Sequence, residues 1–255
     1  MQEIIKSEGK CLFCGKTFAK VGINRHIATH LKEKEDFGKS GKSFFLKVET
    51  VKKYGNLPYF LSLWIDGEAK MKDLDTFLRN IWLECCGHLS AFRNPKTEKI
   101  YRRNYFEAME LLENGKVKGY EKMMEDEDGE VPMSRKANDA LYKGLTLEYE
   151  YDFGSSTQLT VTVIDEYSLK ADKKIVLLSR NEPLQTICAV CGKATATQIC
   201  TICIYEEEAV FCDTCAEKHT EKCEDFADYA SMPIVNSPRM GVCGYTGGTI
   251  DVERD

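Results

Sequence analysis

Nine of the chain's twelve cysteines and three of its four histidines stand in pairs whose spacing suits metal ligation. Near the amino terminus Cys11 and Cys14 are followed by His26 and His30, a C-x2-C-x11-H-x3-H pattern. Two cysteines three apart can share a tight turn, here helped by Gly15, and aim both thiolates at one ion, while histidines four apart share one helix face. Towards the other end, Cys188, Cys191, Cys200, Cys203, Cys212, Cys215, His219 and Cys223 form a ladder within 36 residues. Eight ligands make two tetrahedral sites, and zinc is the usual occupant of sites built from four cysteines or from three cysteines and a histidine. Three zinc ions are therefore expected, each with four protein ligands and no open position for a substrate. Free buried thiols and, in the ladder, an iron–sulfur cluster are the alternatives.

The even ladder resembles the cross-brace fingers of the B-box, MYND and HIT type, in which the first pair joins the third and the second joins the fourth. One site is then Cys188, Cys191, Cys212 and Cys215, and the other is Cys200, Cys203, His219 and Cys223. Sequential pairing would give two independent knuckles instead. A strand-like Val210-Phe211-Cys212 and a helical Ala216 to Cys223 favour the cross-brace. The first cluster resembles fingers with two cysteines and two histidines, Phe18 and Ile23 filling the aromatic and aliphatic core positions. Its central gap of eleven is one short of the usual twelve or so, which asks for a tight turn near Gly22.

Between the clusters the pattern is that of an α+β domain with a mainly antiparallel sheet and one long amphipathic helix. Phe44 to Val48 and Tyr59 to Ile65 read as a hairpin. Asp73 is placed to cap a helix whose apolar stripe is Leu74, Phe77, Leu78, Ile81, Trp82 and Cys85, ended by Gly87. Leu89 to Phe92 and Lys99 to Tyr101 are candidate edge strands, Tyr105 to Leu112 and Ser134 to Leu141 candidate helices, the latter capped by Ser134. Leu145 to Val163 alternates with period two around a Gly-Ser turn, and a last strand covers Lys174 to Leu178. The acidic run Glu125 to Glu130 reads as a solvated loop, since it lacks the ligand order of a calcium loop. The resulting organisation is a finger (1–34), a linker (35–43), an α+β domain (44–183), a double zinc module (184–226) and a Gly-rich extension (227–255).

Composition is that of a globular protein: 43% hydrophobic, 30% charged, net charge −6. No apolar run approaches the length of a bilayer span, and residues 1–10 do not read as a signal peptide, so the expectation is a cytoplasmic protein with reduced, metallated thiols and no membrane partner. Residues 1–53 hold twelve Lys and Arg against six acids, leaving the remainder at −12. A basic finger suggests a nucleic-acid partner; a lysine-rich linker that keeps two domains apart is the plainer reading.

The helix end Trp82-Leu83-Glu84-Cys85-Cys86-Gly87-His88-Leu89, together with Tyr149-Glu150-Tyr151-Asp152-Phe153-Gly154 and the alternating strand after it, resembles the plasmid pRiA ORF-three-like proteins, also described as TnpR-type passengers of insertion elements. The resemblance covers residues 42–180 and implies an α+β domain and a link to mobile elements, but no activity. Many members follow Asp-Phe-Gly with an acidic residue and Trp-x-His, where this chain has Ser155-Ser156-Thr157-Gln158-Leu159. Asp152-Phe153-Gly154 also spells the kinase magnesium motif, but none of the other kinase elements accompanies it.

Two functions follow. One is a zinc-dependent adaptor or regulator that binds nucleic acid through the finger region or a protein through the carboxyl-terminal zinc module. The other is an enzyme with a site on the α+β domain, drawing on Glu148, Glu150, Tyr151, Asp152, His88 and Arg93; a pocket joining His88 to Asp152 would favour it, and their separation across the sheet would count against it. Alternation predicts Glu148, Glu150 and Asp152 on one exposed face. Cys85 is expected in the core rather than on a metal, because a metal would require His88 to turn back over the helix end. Cys243 is expected in a packed, turn-rich extension, resisting alkylation through burial.

Overall fold

The structure is a computed structural model that describes residues 7–51, 58–97, 99–102, 130–205 and 209–255. The chain divides into two units, residues 1–78 with 88–181 and residues 79–87 with 182–255. The predicted helix at 105–112 and the acidic run at 125–129 lie outside the described residues.

The first unit opens with two short paired strands, β1 (Glu8–Lys10) and β2 (Thr17–Ala19), followed directly by helix α1 (Lys20–Glu35). Next come β3 (Ser40–Thr50), β4 (Phe60–Asp66), α2 (Met71–Leu78), and after the second unit's first segment β5 (Ser90–Arg93), β6 (Ile100–Arg102), β7 (Glu130–Pro132), α3 (Ala137–Ala140), β8 (Thr146–Tyr151), β9 (Thr157–Leu169) and β10 (Ile175–Arg180). These strands form an eight-stranded sheet in the order β10-β4-β3-β9-β8-β5-β6-β7, antiparallel except for the β6–β7 pair. The chain is thus α+β with a mainly antiparallel sheet. Both expected hairpins are present, β3 with β4 and β8 with β9. β5 and β6 lie inside the sheet rather than at its edge, because β8 and β7 flank them.

All of β4 is buried, which requires cover on both sides of the sheet. One side is covered by α1: Ile23, Ile27 and Leu31 pack with Phe45, Phe60, Trp64, Tyr167, Leu169 and Leu178. The finger helix is therefore part of the sheet's own core. Ser62 donates to Asn24 Oδ1 (2.7 Å), fixing α1 on β4, and the Trp64 indole donates to Ser43 Oγ (2.8 Å). Only residues 36–39 separate α1 from β3, so no long spacer holds finger and sheet apart.

The predicted long helix is two pieces. α2 ends at Leu78 and a wide π turn, Arg79–Leu83, follows with the second unit. Asp73 sits inside the first turn and accepts from the Lys70 amide (2.8 Å), reaching back as the third residue of a capping box does. Asp75, buried on the same helix, accepts from Ser90 Oγ (2.5 Å) and the Tyr149 hydroxyl (2.8 Å), pinning α2 to β5 and β8. α3 starts at Ala137 after Lys136, not at Ser134, and no side chain caps it.

The second unit holds a three-stranded sheet, β11 (Gln198–Cys200) between β12 (Val210–Phe211) and β13 (Ser231–Pro233), and helix α4 (Asp213–Thr220). The tail packs on the π turn: the Thr249 amide donates to Asn80 O (2.7 Å) and Ser237 Oγ to Trp82 O (2.6 Å). Gly248 approaches so closely that a Cβ would lie 2.5 Å from Ile81 O. The Gly-rich extension thus packs on residues 79–87 of its own unit.

Candidate metal centres

All twelve cysteines and three of the four histidines fall into four groups, each within one unit, and in each group one ligand atom per residue lies within 4.8 Å of the others. The groups are Cys11, Cys14, His26 and His30; Cys188, Cys191, Cys212 and Cys215; Cys200, Cys203, His219 and Cys223; and Cys85, Cys86 and Cys243. The ladder is interleaved as a cross-brace, first pair with third and second with fourth. The fourth group was not expected.

The finger and the first ladder knuckle use one backbone device. Cys11 N–H donates to Lys16 O and Gly15 N–H to Cys11 O (2.9 and 2.8 Å); Cys188 N–H donates to Ala194 O and Gly192 N–H to Cys188 O (2.8 and 2.9 Å). Gly15 and Gly192 take φ of 75° and 62°, which a side chain would resist, so the shared Cys-x-x-Cys-Gly sequence has a conformational cause. The closed knuckle points amides at sulfur. Burial pushes the Cys188 thiol up, but hydrogen bonds from the backbone at Cys191, Cys212 and Val190 outweigh it and bring it down to about 6. Backbone at Ala194 and Lys193 likewise lowers Cys191. At Cys11 burial wins over the same kind of donors and the thiol is raised. The other ladder pairs use different supports: Cys203 opens a 3-10 turn, and Cys212 stands at the start of α4 with Cys215 in its first turn.

Ring contacts aim the imidazoles. Phe18 stacks on His26 with centroids 4.1 Å apart, and Phe211 stacks on His219 at 4.2 Å with Phe226 edge-on to it. Phe18 thus stands where the sequence placed an aromatic core residue, and Ile23 is fully buried.

Tetrahedral zinc, with Zn–S near 2.3 Å and Zn–N near 2.0–2.1 Å, sets two sulfurs about 3.8 Å apart, sulfur and nitrogen about 3.6 Å, and two nitrogens about 3.3 Å. The observed separations follow that geometry. His26 and His30 Nε2 are 3.2 Å apart, Cys14 Sγ and His26 Nε2 3.2 Å, Cys203 Sγ and His219 Nε2 3.7 Å, and Cys191 and Cys212 Sγ 4.0 Å.

The other singled-out residues separate into two places within the first unit. Arg93, Glu148, Glu150, Phe153, Gln158 and Thr160 line a groove of about 480 Å³ on the sheet. Glu148 is exposed there and Glu150 half-buried, as alternation predicted. Asp152 departs from that alternation. The strand stops at Tyr151, Asp152 takes φ of 63°, and its side chain is buried, with Oδ1 accepting from the Gly154 and Ser155 amides and Oδ2 3.5 Å from His88 Nε2. Tyr151 is buried and edge-on to His88 at 5.7 Å. The Asp-Phe-Gly sequence is therefore a turn whose carboxylate addresses a histidine, and neither His88 nor Asp152 lines the groove on the sheet.

The basic amino-terminal region is partly neutralised by the body it packs on. Lys20 pairs with Glu49 (3.2 Å), Lys47 with Glu49 (2.5 Å), Lys34 with Asp172 (3.2 Å) and Lys42 with Glu166 (3.3 Å). Among the described residues no helix is long and apolar enough to cross a membrane.

No protein-family model matches this chain, and no curated protein does. Among solved structures it is similar to a protein of unknown function from Methanosarcina mazei Go1, at 17% identity over 74% of this chain and 87% of that one, with a TM-score of 0.39. A similarity of that size establishes neither fold nor activity.

Proposed function

We propose that the chain is a zinc-dependent adaptor whose finger and cross-brace each hold their ions as closed structural sites, and whose second unit docks a protein partner. The cross-brace carries this reading. Its two groups have four protein ligands each, which leaves no coordination position for substrate. The tips of two of its knuckles are apolar and half exposed, Val190 between Cys188 and Cys191 and Ile202 between Cys200 and Cys203. The unit carries fourteen Asp and Glu against six Lys and Arg, a net −8. Thiolate-bound zinc makes it more acidic, because four thiolates around one ion leave a charge of about −2. An acidic surface with apolar tips suits a basic protein partner and repels phosphate. The ion pairs of Lys20, Lys34, Lys42 and Lys47 likewise reduce the free charge a nucleic acid would meet. The resemblance to the pRiA ORF-three-like proteins supports reading such an adaptor as a product carried with mobile elements.

The test is affinity capture with the zinc-loaded full chain, wild type against Val190→Asp/Ile202→Asp, with gel-shift on DNA and RNA in parallel. A defined protein retained by the wild type, lost in the variant and lost on chelation supports the reading. Salt-sensitive nucleic-acid binding that survives the variant and falls with Lys16→Glu/Arg25→Glu overturns it.

A further inference from the structure

The unexpected group at the end of α2 has a geometry that calls for an occupant. Cys85, Cys86 and Cys243 all belong to the second unit, and Cys86 Sγ is 3.7 Å from both other sulfurs, close to the 3.8 Å or so of a tetrahedral zinc–thiolate edge. Three thiols do not gather at that spacing for packing alone, because Cys86 and Cys243 are exposed. The chain between them is also built for it. Glu84 accepts from the Gly87 amide (2.6 Å) and from Arg79 Nε (2.5 Å), closing a turn in which Gly87 takes φ of 79°. On the other side Gly241, Cys243 and Gly244 have φ of 75°, 50° and 68°. Cys243 is one of three non-glycine residues with positive φ among the described residues, a conformation kept where the surroundings impose it.

The surroundings of the group are those of a metal site. Three thiolates on one divalent ion leave a net charge of about −1, and the fully buried Arg239 guanidinium donates to Cys85 Sγ (3.5 Å), where it offsets that charge. The Arg239 loop is itself held, its amide donating to Ser237 Oγ (2.9 Å).

We infer that Cys85, Cys86 and Cys243, all in the second unit, hold a fourth zinc ion, with Arg239 as the positioning residue beside it. It goes beyond the adaptor reading and stands independently of it, since that reading requires only the other three groups. The all-sulfur ligand set favours zinc over hard cations, and the ion joins the turn after α2 to the tail of the same unit.

Native mass spectrometry of the full chain, reduced and zinc-loaded, should find four ions, and Cys86→Ser/Cys243→Ser should find three. Arg239→Gln should still bind four ions but release one of them to chelator at roughly 10- to 100-fold lower chelator concentration, the loss expected for an outer-shell partner. A readout independent of folding is alkylation of the metal-loaded wild type. Cys86 and Cys243 are exposed, so burial cannot protect them; they should stay unmodified until chelator is added. Three ions in the wild type with both thiols reactive from the outset overturns the fourth site and leaves the adaptor reading intact, whereas no bound zinc overturns both. A Cys86–Cys243 disulfide in protein isolated without reductant, with three ions, also overturns it.

Discussion

The finger and the cross-brace draw on the same two residue types, cysteine and histidine, and share a Cys-x-x-Cys-Gly knuckle, yet they are embedded differently. In the finger, Cys11 borders a core made of Ile23, Ile27 and Leu31 against Phe45, Phe60 and Trp64, so the helix is held by apolar burial whether or not an ion is present. In the cross-brace the cluster is Cys188, Cys200, Cys203, Cys212 and Cys215 with Phe211, Ala216, Phe226 and Ala230. There the ligands are most of the core. A metal beside a core adds to stability, while a metal that replaces a core is the stability, as in small domains that fold only when loaded.

Removing metal from the cross-brace should therefore have the largest effect. Structural zinc contributes about 10–16 kcal/mol of folding free energy, so chelation or Cys212→Ser should leave residues 184–255 open to limited proteolysis while the eight-stranded sheet persists. Equal protection of both units after chelation would break the contrast. Trp64→Ala comes next, at about 3–5 kcal/mol in denaturant unfolding, because it empties the core that the finger helix shares with the sheet. Cys14→Ser should remove the finger's ion but leave α1 docked. Its thermal midpoint should fall by less than that of Trp64→Ala, with amides of Ile27 and Leu31 still protected from hydrogen exchange; loss of that protection would make the finger no different from the cross-brace.

The smallest effect is expected at Glu49, which links Lys20 at the start of α1 to Lys47 on β3. Burial alone would raise this carboxyl, but the Lys47 hydrogen bond and the Lys20 and Lys47 charges more than reverse it and hold it below its ordinary value of 4.5. A carboxyl depressed on folding contributes stability above its unfolded pKa and loses it as pH falls through the folded one. Glu49→Gln should cost about 1 kcal/mol or less at pH 7, and the difference from wild type should shrink below pH 4.5. A difference that grows on acidification would reverse the assignment.

Legibility in the sequence followed distance along the chain. The ladder was readable because each ligand pair spans one turn, and the sheet's hairpins because β3 with β4 and β8 with β9 are neighbours in sequence. β5 and β6 looked like edges because nothing local says that β8 returns to pair with β5. Asp152 was placed on the exposed face by extending a period-two pattern one residue past the point where φ turns positive. The fourth cluster was missed since Cys85 fitted an apolar stripe and its partner lies far along the chain. One signal was available: once twelve ligands are assigned, all three cysteines left over, Cys85, Cys86 and Cys243, are the ones that meet.

The distance between Cys86 and Cys243, 157 residues, carries a consequence for synthesis. At about 5–20 residues per second, Cys85 and Cys86 leave the ribosome roughly 8 to 30 seconds before Cys243 exists. Through that interval the finger and the first strands can already be assembled, whereas the turn after α2 holds two thiols without their third. A product truncated before Cys243 would keep that incomplete pair permanently.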